Sequence, residues 1–472
     1  MNKNVKIIFV FVVWLLTIKP IVSQIITWEK INYNPNANLF YSVQQLTDGN
    51  YIVAGTTRIN SRNRIYVIKY NIFGDTLFAK IFETNDVENY AVKWIEETTD
   101  KGFIITGYGS GPQGDSYLVR MDSVGNVIWF KNYGGNNLDV GYCVKQTLDK
   151  GFILLSRSVN ISEDMLLTKT DSIGNVQWEK VIDSGYDDYP GEVELVSNKG
   201  YIVIGSSNRS SNLIRFNLEG EKLWQKDLDS ISASSISMTS QEGYILGGVS
   251  GDNGIYSSSI LKTDSSGNEL WQKKYNTYGY ENIFSVKEIK NSGGFVFCGW
   301  SDTALIGWSK RAMYKVTDIE GNILNQKFFS PGEETSRFLS VSNTSDGGFI
   351  FAGIAGVGIG FGYLIKTDSL GNTILRIKET EDNTSNDFLV YQNFPNPFNG
   401  STNIIYQLKR SSNVSISIYN ILGKLVYNKY FGKISAGVYS FNFNSMELST
   451  GVYYYAFNFG NQNIVHKFLI LK

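Results

Sequence analysis

Histidine and cysteine are nearly absent from this chain, which has one His and two Cys among 472 residues. That shortage excludes the common zinc sites and the nucleophile–histidine pairs of most hydrolases. Proline is also scarce, at seven residues, and only 18% of residues are charged, so proline-rich, disordered and coiled-coil structures are excluded. The 43 basic residues nearly balance the 44 acidic ones, and we therefore predict no nucleic-acid partner.

The few chemically versatile side chains are predicted to have packing roles. The single histidine, His466, lies near the C-terminus in a strand pattern that offers no nucleophile or orienting partner. Cys143 and Cys298 fall in different strand patterns and are predicted to remain buried thiols. The G-x-G-x-x-G stretch at 109–114 leads into a strand, so it lacks the helix N-terminus that binds a pyrophosphate. We therefore predict no cofactor, no metal site and no catalytic residue.

The N-terminus has the pattern of a secretory signal peptide over residues 1–23. Lys3 and Lys6 precede a twelve-residue apolar run, which is shorter than the roughly 20 residues that a membrane-spanning helix needs. Cleavage is predicted between the small residue Ser23 and Gln24, and an uncleaved anchor is the alternative. Removal of this lysine-containing segment leaves a mildly acidic, exported protein.

Two sequence phrases recur seven times between residues 24 and 378. One is a turn followed by an apolar strand, as in DKGFIITG at 100–107, and the other is a strand, a tight turn and a strand, as in YLVRMDSVGNVIWFK at 117–131. The second turn begins with Asp or Asn, whose side chain can close an Asx turn, and has Gly three residues later. These glycines recur every 46 to 54 residues, at Gly74, Gly125, Gly174, Gly220, Gly267, Gly321 and Gly371.

Each repeat contains four short runs of β-branched and aromatic residues, which predict four strands. Four strands per repeat of this length are typical of a β-propeller blade. We therefore predict an all-β protein with a seven-bladed β-propeller at 24–378, a polar linker at 379–387 and a small Ig-like β-sandwich at 388–472. The uncharged stretch 347–365 aligns with two strands of the last repeat, so it is not predicted to span a membrane.

Two segments could close the ring of blades. ITWEK at 26–30 has the pattern of an outermost strand and is favoured to pair with the last blade. The competing segment is ILRIK at 374–378, which lacks the tryptophan of the other outermost strands.

A large aromatic residue occupies one fixed position in the middle repeats. Four residues after the turn glycine stand Trp129, Trp178, Trp224 and Trp271, and such rings are expected to pack against the next blade. The pattern resembles the tryptophan-docking repeat of pyrroloquinoline-quinone-type propellers. The resemblance concerns architecture only, because the adjacent cysteine pair of that family's cofactor site is missing.

The last 85 or so residues depart from the repeat. YQNFPNPFNGSTNIIYQL at 391–408, GVYSF, LSTGVYYY and a terminal KFLILK resemble the C-terminal sorting domain of the type IX secretion system. The resemblance implies recognition by the translocon, passage across the outer membrane and attachment to surface lipopolysaccharide, often with removal of the domain. The hallmarks fall on Pro395, Asn396, Pro397, Phe398, Gly423, Gly437, Tyr439, Gly451, Tyr453 and Lys472.

The two ends of the blades are expected to differ in function. One end carries short regular turns, and the other carries longer connections, which are the usual place for binding residues on a rigid scaffold. We predict a ligand-binding face there, made of Trp300, Trp308, Tyr186, Asp187, Asp188, Tyr189, Tyr278 and Tyr280.

The sequence therefore predicts a secreted or cell-surface, non-enzymatic binding protein with an unknown glycan or protein ligand. One alternative is a glycan hydrolase that uses two loop carboxylates. The other is a purely structural surface or adhesion component.

Overall fold

The computed structural model is an all-β chain. It describes residues 27–32, 39–82, 89–110, 114–135, 139–159, 163–207, 210–252, 255–275, 279–290, 293–302, 310–331, 335–356, 360–373, 388–390, 393, 396, 398–408, 410–421, 423–445, 448–460 and 462–471. Within these ranges no helix is long and apolar enough to cross a membrane. The predicted cleavage site at Ser23 and Gln24 and the competing closing segment 374–378 lie outside them.

In the part of the chain that the structure describes, seven four-stranded antiparallel sheets account for the repeats. Before them comes β1 (Trp28–Asn32). Sheets I to III contain β2 (Leu39–Gln45), β3 (Tyr51–Ile59), β4 (Arg62–Tyr70) and β5 (Thr76–Phe82); β6 (Asn89–Glu97), β7 (Phe103–Ser110), β8 (Ser116–Met121) and β9 (Val127–Tyr133); and β10 (Asp139–Gln146), β11 (Phe152–Val159), β12 (Glu163–Thr170) and β13 (Val176–Ile182).

Sheet IV contains a 3-10 turn, Ser197–Lys199, between its first two strands. Sheets IV and V contain β14 (Asp188–Leu195), β15 (Tyr201–Ser207), β16 (Ser210–Phe216) and β17 (Lys222–Leu228); and β18 (Ser232–Met238), β19 (Tyr244–Asp252), β20 (Ile255–Thr263) and β21 (Glu269–Tyr275). Sheets VI and VII contain β22 (Tyr280–Glu288), β23 (Phe295–Asp302), β24 (Lys310–Thr317) and β25 (Ile323–Phe329); and β26 (Ser336–Asn343), β27 (Phe349–Ala355) and β28 (Phe361–Thr367) with β1. The stretch 347–365 thus supplies strands, as predicted.

The sheets form a closed ring. The first strand of each sheet contacts the first strand of the next, and β26 of sheet VII contacts β2 of sheet I. β1 completes sheet VII by antiparallel pairing with β28, with Trp28 opposite Lys366, which confirms the favoured closing segment. Because the first strands touch one another around the ring, they line a central channel. A closed ring of four-stranded sheets is consistent with the predicted β-propeller.

The Asx turns form as predicted. In sheet II, Oδ1 of Asp122 accepts hydrogen bonds from the backbone N–H groups of Val124 and Asn126, at 3.0 and 2.7 Å. Gly125 then adopts a φ of +85°, which a side chain would strain. Since strands alternate in direction, these turns and the turns between first and second strands lie at one end of the ring, the short-turn end. The other connections lie at the long-loop end.

The fixed tryptophans join neighbouring sheets. Trp129, Trp178, Trp224 and Trp271 each lie against the turn glycine of the next sheet, and Trp28 packs in the same way on Gly74. In sheet VI, Asn325 replaces the tryptophan and its amide donates a hydrogen bond to the Leu370 carbonyl. The prediction that these aromatic rings pack against the adjacent sheet is therefore confirmed. In β1, the Trp28 side chain makes the corresponding contact between the last sheet and the first.

The described C-terminal residues form seven strands in two sheets. The strands are β29 (Phe388–Val390), β30 (Ser401–Leu408), β31 (Ser412–Asn420), β32 (Leu425–Ile434), β33 (Gly437–Asn444), β34 (Gly451–Phe459) and β35 (Gln462–Ile470). One sheet has the order β29-β30-β33 and the other β32-β31-β34-β35. Buried residues of both sheets, such as Tyr406 and Phe457, share one hydrophobic core. Two sheets around one core agree with a small sandwich, and the Ig-like topology stays a prediction.

The docking of tryptophan on glycine yields a stability prediction with a matched control. A Cβ at Gly220 would lie 2.8 Å from the Trp178 ring, whereas a Cβ at Gly185 would have no atom within 4 Å. Both glycines have a positive φ, +76° and +80°, so an alanine at either position costs about 1–2 kcal/mol of backbone strain. We expect Gly220→Ala to lower the free energy of unfolding by about 1–3 kcal/mol more than Gly185→Ala in denaturant titrations. Equal losses would contradict the docking role.

Candidate functional site

A ring of hydrogen bonds braces the first strands around the channel. Each first strand has a register shift, and in six of the seven a side chain at or just after the shift hydrogen-bonds the backbone of the next first strand. Oγ of Ser42, for example, accepts a hydrogen bond from the Ile95 N–H at 3.3 Å. Ser235, Ser285, Ser340 and Glu192 accept equivalent bonds from Val286, Val341, Val43 and Ile236, and the Cys143 thiol donates to the Val193 carbonyl. We call these side chains the bracing ring. Its contact from Ser340 to Val43 joins the last sheet to the first.

Trp94 occupies the remaining position of the bracing ring. Its indole Nε1 is buried and has no hydrogen-bond partner among the described residues. The ammonium groups of Lys145 and Lys287 lie over its ring, at 4.8 and 5.8 Å from the ring centroid. Such cation–π contacts are favourable, more so where the cation is desolvated. Trp94 therefore holds two lysines at the centre of the ring.

The short-turn end of the channel opens into a cavity of about 860 Å³. Two residues after each register shift, Glu96, Lys145, Glu194 and Lys287 project into this region from four sheets. Nζ of Lys145 lies 3.2 Å from Glu96 and 3.1 Å from Glu194. Lys287 lies farther from its carboxylates, at 3.8 Å from Glu194 and 3.7 Å from Glu192. The cavity is therefore lined by an alternating network of charges that neutralise one another.

Burial and charge shift the titration of this network in definite directions. Burial raises the pKa of Glu96, against the lowering effect of Lys145, and Glu194 raises it further. Burial alone would lower the pKa of Lys145, but Glu194 and Glu96 raise it well above its ordinary value. Lys145 therefore stays charged, and its ammonium group offsets the repulsion between the carboxylates of Glu96 and Glu194. The repeat alignment contains this signal, because the aligned column reads Gln44, Glu96, Lys145, Glu194, Ser237, Lys287 and Ser342. The signal was missed because binding residues were expected among the longer connections at the other end.

The long-loop end of the channel carries aromatic and cationic side chains. Tyr41, Lys93 and Tyr142 stand at the register shifts of β2, β6 and β10. Nζ of Lys93 lies 5.4 Å from the centroid of the Tyr142 ring, and the Arg157 guanidinium lies 5.8 Å from the Tyr189 ring. We call Tyr41, Lys93, Tyr108, Tyr142, Arg157 and Arg337 the long-loop cluster. It brings together residues of sheets I, II, III and VII.

Like charges meet in the long-loop cluster. Burial lowers the pKa of Lys93, and the positive charges of Arg157 and Arg337 lower it further. Burial raises the pKa of Tyr41, with Tyr108 acting in the same direction and Arg337 opposing it. These effects place the side chains of different sheets in one electrostatic environment.

The predicted ligand face is only partly formed as expected. Tyr186, Tyr189 and Tyr280 are exposed, with 60%, 44% and 45% of their surface accessible. Asp187 is exposed too. Trp300 is partly buried beneath Lys310, whose ammonium group lies 4.2 Å from the centroid of the Trp300 ring. Trp308 and Tyr278 lie outside the described residues. The described members come from sheets IV and VI and the connection preceding sheet IV, and of these Tyr189 contacts the long-loop cluster, through Arg157.

Asp188 requires a correction. The sequence places it in the ligand-binding face, but it is fully buried. Its carboxylate accepts hydrogen bonds from the backbone N–H and hydroxyl of Ser184, each at 2.8 Å. Burial raises the pKa of Asp188, while Ser184 opposes that rise. The side chain closes the loop before β14 instead of facing a ligand.

One acidic group could hold a metal ion. Carboxylate oxygens of Asp164, Asp183 and Asp188 lie within 4.8 Å of one another. Asp115 and Asp139 occupy the equivalent positions one sheet earlier, where Oδ2 of Asp139 accepts a hydrogen bond from the Gly135 N–H at 2.9 Å. The sequence analysis did not predict this group. Because carboxylates also gather without metal and Asp188 has hydrogen-bond donors from Ser184, we assign no ion to it.

The lone histidine and the cysteines are packed. Cys143 and Cys298 are buried free thiols, as predicted, and burial raises the pKa of both. The ring of His466 stacks on Tyr455 with centroids 5.5 Å apart, and burial lowers its pKa. These residues therefore contribute to the core of their sheets.

The described hallmark residues of the C-terminal sheets hold their strands together. Oδ1 of Asn396 accepts a hydrogen bond from the Leu469 N–H at 2.8 Å, and the backbone of Phe398 bonds to Leu469 and Leu471. The Phe398 ring is buried against Phe468, with centroids 5.5 Å apart. This arrangement ties the segment before β30 to β35.

The other hallmarks occupy turns and strand starts. The hydroxyls of Tyr439 and Tyr453 donate to the carbonyls of Ser435 and Ser449, each at 3.0 Å. Gly423 has a φ of +75° in the turn between β31 and β32, and Gly437 and Gly451 begin β33 and β34. Pro395, Pro397 and Lys472 lie outside the described residues.

Comparisons with known proteins support the C-terminal prediction. Residues 392–471 match the family described as "Secretion system C-terminal sorting domain". A search of the curated proteins finds no match. The matched segment is a sorting domain of the type IX secretion system, and it implies export, interaction with the secretion machinery and a cell-surface or extracellular location.

Solved structures resemble the chain at low similarity. One is PorZ, a bacterial surface component of the type-IX secretion system of Porphyromonas gingivalis, at 13% identity and a TM-score of 0.41. That match covers 92% of this chain and 59% of PorZ, so the chain spans less than two thirds of its length. A fungal alcohol oxidase in complex with copper has 10% identity and a TM-score of 0.42, covering 94% and 99% of the two chains. Raptor of Chaetomium thermophilum has 9% identity and a TM-score of 0.46, covering 72% and 30%.

The buried charge network yields a pH-dependent prediction. Lys145→Met leaves Glu96 and Glu194 facing each other, and breaking a buried pair costs about 3–5 kcal/mol. Because the pKa of Glu96 is already raised, the folded state binds its proton more tightly than the unfolded state, so the loss grows as pH rises through that pKa and shrinks below it. We expect denaturant titrations to give a larger loss near pH 8 than near pH 5.

Lys69→Met is the matched control, because Lys69 pairs with the exposed Asp48 at 2.8 Å. Its loss is expected to stay below about 1 kcal/mol. A loss for Lys145→Met that is as small as the control's, or that does not vary with pH, would contradict the role given to the network.

Proposed function

We propose that the chain is a non-enzymatic binding protein, exported by the type IX secretion system and carried on the outer cell surface or released from it. In this proposal residues 24–378 form a seven-bladed β-propeller that binds a glycan or protein ligand at the long-loop end. The C-terminal domain engages the translocon, and attachment to surface lipopolysaccharide follows export. The observation that carries the binding role is the long-loop cluster, to which four different sheets contribute.

The composition of that cluster supports binding. Tyr41, Tyr108 and Tyr142 offer ring faces and hydroxyls, and Lys93 and Arg337 offer charged donors. Polar donors beside aromatic surface are the usual lining of a ligand site. Next to Tyr108 lies a cavity of about 430 Å³ lined also by Arg58, Asn63 and Asn89. That volume falls within the usual range of small-ligand sites.

The acidic group gives less support to hydrolysis. A glycan hydrolase of the common type needs two accessible carboxyl groups about 5 to 9.5 Å apart across the scissile bond. The carboxylates of Asp164, Asp183 and Asp188 are closer than this, within 4.8 Å, and Asp188 is fully buried. Non-enzymatic binding is therefore the function that we favour.

Export is tested by removing or loosening the C-terminal domain. In a host with type IX machinery, we expect the full chain outside the cell and a chain ending at residue 387 in the periplasm, by immunoblot of fractions. Asn396→Ala leaves the Leu469 N–H without its side-chain acceptor, which costs about 1–3 kcal/mol, so the exported fraction should fall. Asn403→Ala is the control, because the Asn403 side chain accepts a hydrogen bond from the Asn442 amide at the exposed surface of the same two sheets. Export of the truncated chain would contradict the proposal.

Binding is tested with the purified mature chain on a broad array of glycans and surface proteins. Tyr142→Ala removes a ring of the long-loop cluster and should lower the signal at least severalfold, by analogy with aromatic contacts worth about 0.5–1.5 kcal/mol. Tyr430→Ala is the control, because Tyr430 is 67% exposed in the C-terminal sheets. If no ligand binds the folded chain, the result would favour the alternative that the protein is a purely structural surface or adhesion component.

A further inference from the structure

The long-loop cluster has an excess of positive charge in a chain that is otherwise mildly acidic. Lys93, Arg157 and Arg337 come from sheets II, III and VII. Among the described residues, Glu163 is the one carboxylate that forms an ion pair with them, with Oε2 at 3.0 Å from Nη1 of Arg157. The three cations outnumber the carboxylates beside them, Glu163 and the neighbouring Asp187, and they repel one another. A bound anion would relieve that repulsion.

One guanidinium in the cluster also keeps an unused donor. Nε of Arg157 is buried and has no hydrogen-bond partner within the part of the chain that the structure describes. A buried charged donor without an acceptor is costly, and an anion supplies the acceptor that is missing. This observation is independent of the charge count and points to the same kind of ligand.

We propose that the long-loop cluster binds an anionic sugar unit, whose carboxylate, sulfate or phosphate group lies among Lys93, Arg157 and Arg337. This inference rests on the binding function proposed above and names the chemical class of its ligand. The ring faces of Tyr108, Tyr142 and Tyr189 favour a saccharide over an acidic peptide, because the C–H faces of a sugar ring pack against aromatic rings.

The adjoining cavity fits the neutral part of such a ligand. It is lined by Ser61, Asn63, Asn89 and Tyr108, whose hydroxyl and amide groups match sugar hydroxyls. The anionic group and the sugar ring would therefore contact two adjoining parts of one site. The short-turn end of the channel lacks this arrangement, since its lysines already face Glu96, Glu192 and Glu194.

Calorimetric titration of the mature full-length chain with matched probes tests the inference. The anionic probes are an oligogalacturonate, a sulfated dextran oligomer and a phosphomannan fragment, which distinguish the three anionic groups. Neutral dextran of equal length and poly-glutamate are the comparison probes. We expect at least one anionic sugar to bind, and to bind more weakly in about 300 mM than in about 50 mM salt, because salt screens exposed charges.

Charge-removing variants locate the site. Arg337→Gln and Lys93→Gln should each weaken binding about tenfold or more, since hydrogen bonds to charged groups are among the strong ones. Arg337→Lys keeps the charge and should retain most of the affinity. Lys222→Gln is the charge-matched control, because Lys222 is exposed on the outermost strand of sheet IV. Arg337 is also exposed, so the melting temperature of Arg337→Gln should be unchanged or slightly raised.

Each contrary result has a distinct meaning. Equal binding of neutral dextran, unaffected by the variants, would overturn the anionic class and leave the binding function standing. Preference for poly-glutamate would overturn the proposal that the ligand is a saccharide. If every probe fails but the array finds another ligand, this inference alone falls; if the array also finds none, the proposed function falls with it.

Discussion

The ring depends on hydrogen bonds that pass from a side chain of one first strand to the backbone of the next. The inner edge of a sheet presents unpaired N–H and C=O groups, and these are costly when they are buried. Ser42, Ser235, Ser285 and Ser340 provide acceptors at a constant place after the register shift. Because Ser340 bonds the first sheet, the same interaction that joins neighbours also closes the ring. The channel is a consequence of this bracing.

The outer contacts complement the bracing ring. At the periphery, tryptophan rings cover the turn glycines of the next sheet, and Trp28 repeats that contact at the closure. Two sets of contacts, one near the axis and one near the rim, fix each sheet against its neighbour. Such redundancy explains why Asn325 can replace a tryptophan in sheet VI and still bond the next turn. The repeat therefore tolerates variation at one position when the others are kept.

The architecture was predictable because the residues that determine it recur at equivalent positions of every repeat. The turn residues, the strand runs and the tryptophan column each occur at a constant spacing, so the four-stranded sheets and the closing role of 26–30 follow from the sequence. The residues that line the channel were harder to predict. Each first strand has a register shift, which interrupts the regular alternation of its side chains between the two faces of the sheet. Lys93 and Arg337 are far apart in the chain and meet only when the ring closes. Asp188 was misassigned because it was grouped with the loop residues before it, although the equivalent Asp139 likewise accepts a backbone hydrogen bond from the residue four positions earlier.

The two ends of the channel treat clustered charge in opposite ways. At the short-turn end Lys145 and Lys287 have carboxylate neighbours, so this network is neutralised from within and contributes to the fold. At the long-loop end Glu163 forms an ion pair with Arg157, and burial, together with the positive charges of Arg157 and Arg337, lowers the pKa of Lys93. Packing alone gives no reason to retain such repulsion, because a neutral side chain would relieve it. Strain of this kind persists where the surrounding contacts are strong enough to hold it, and it is concentrated at sites that act on a ligand.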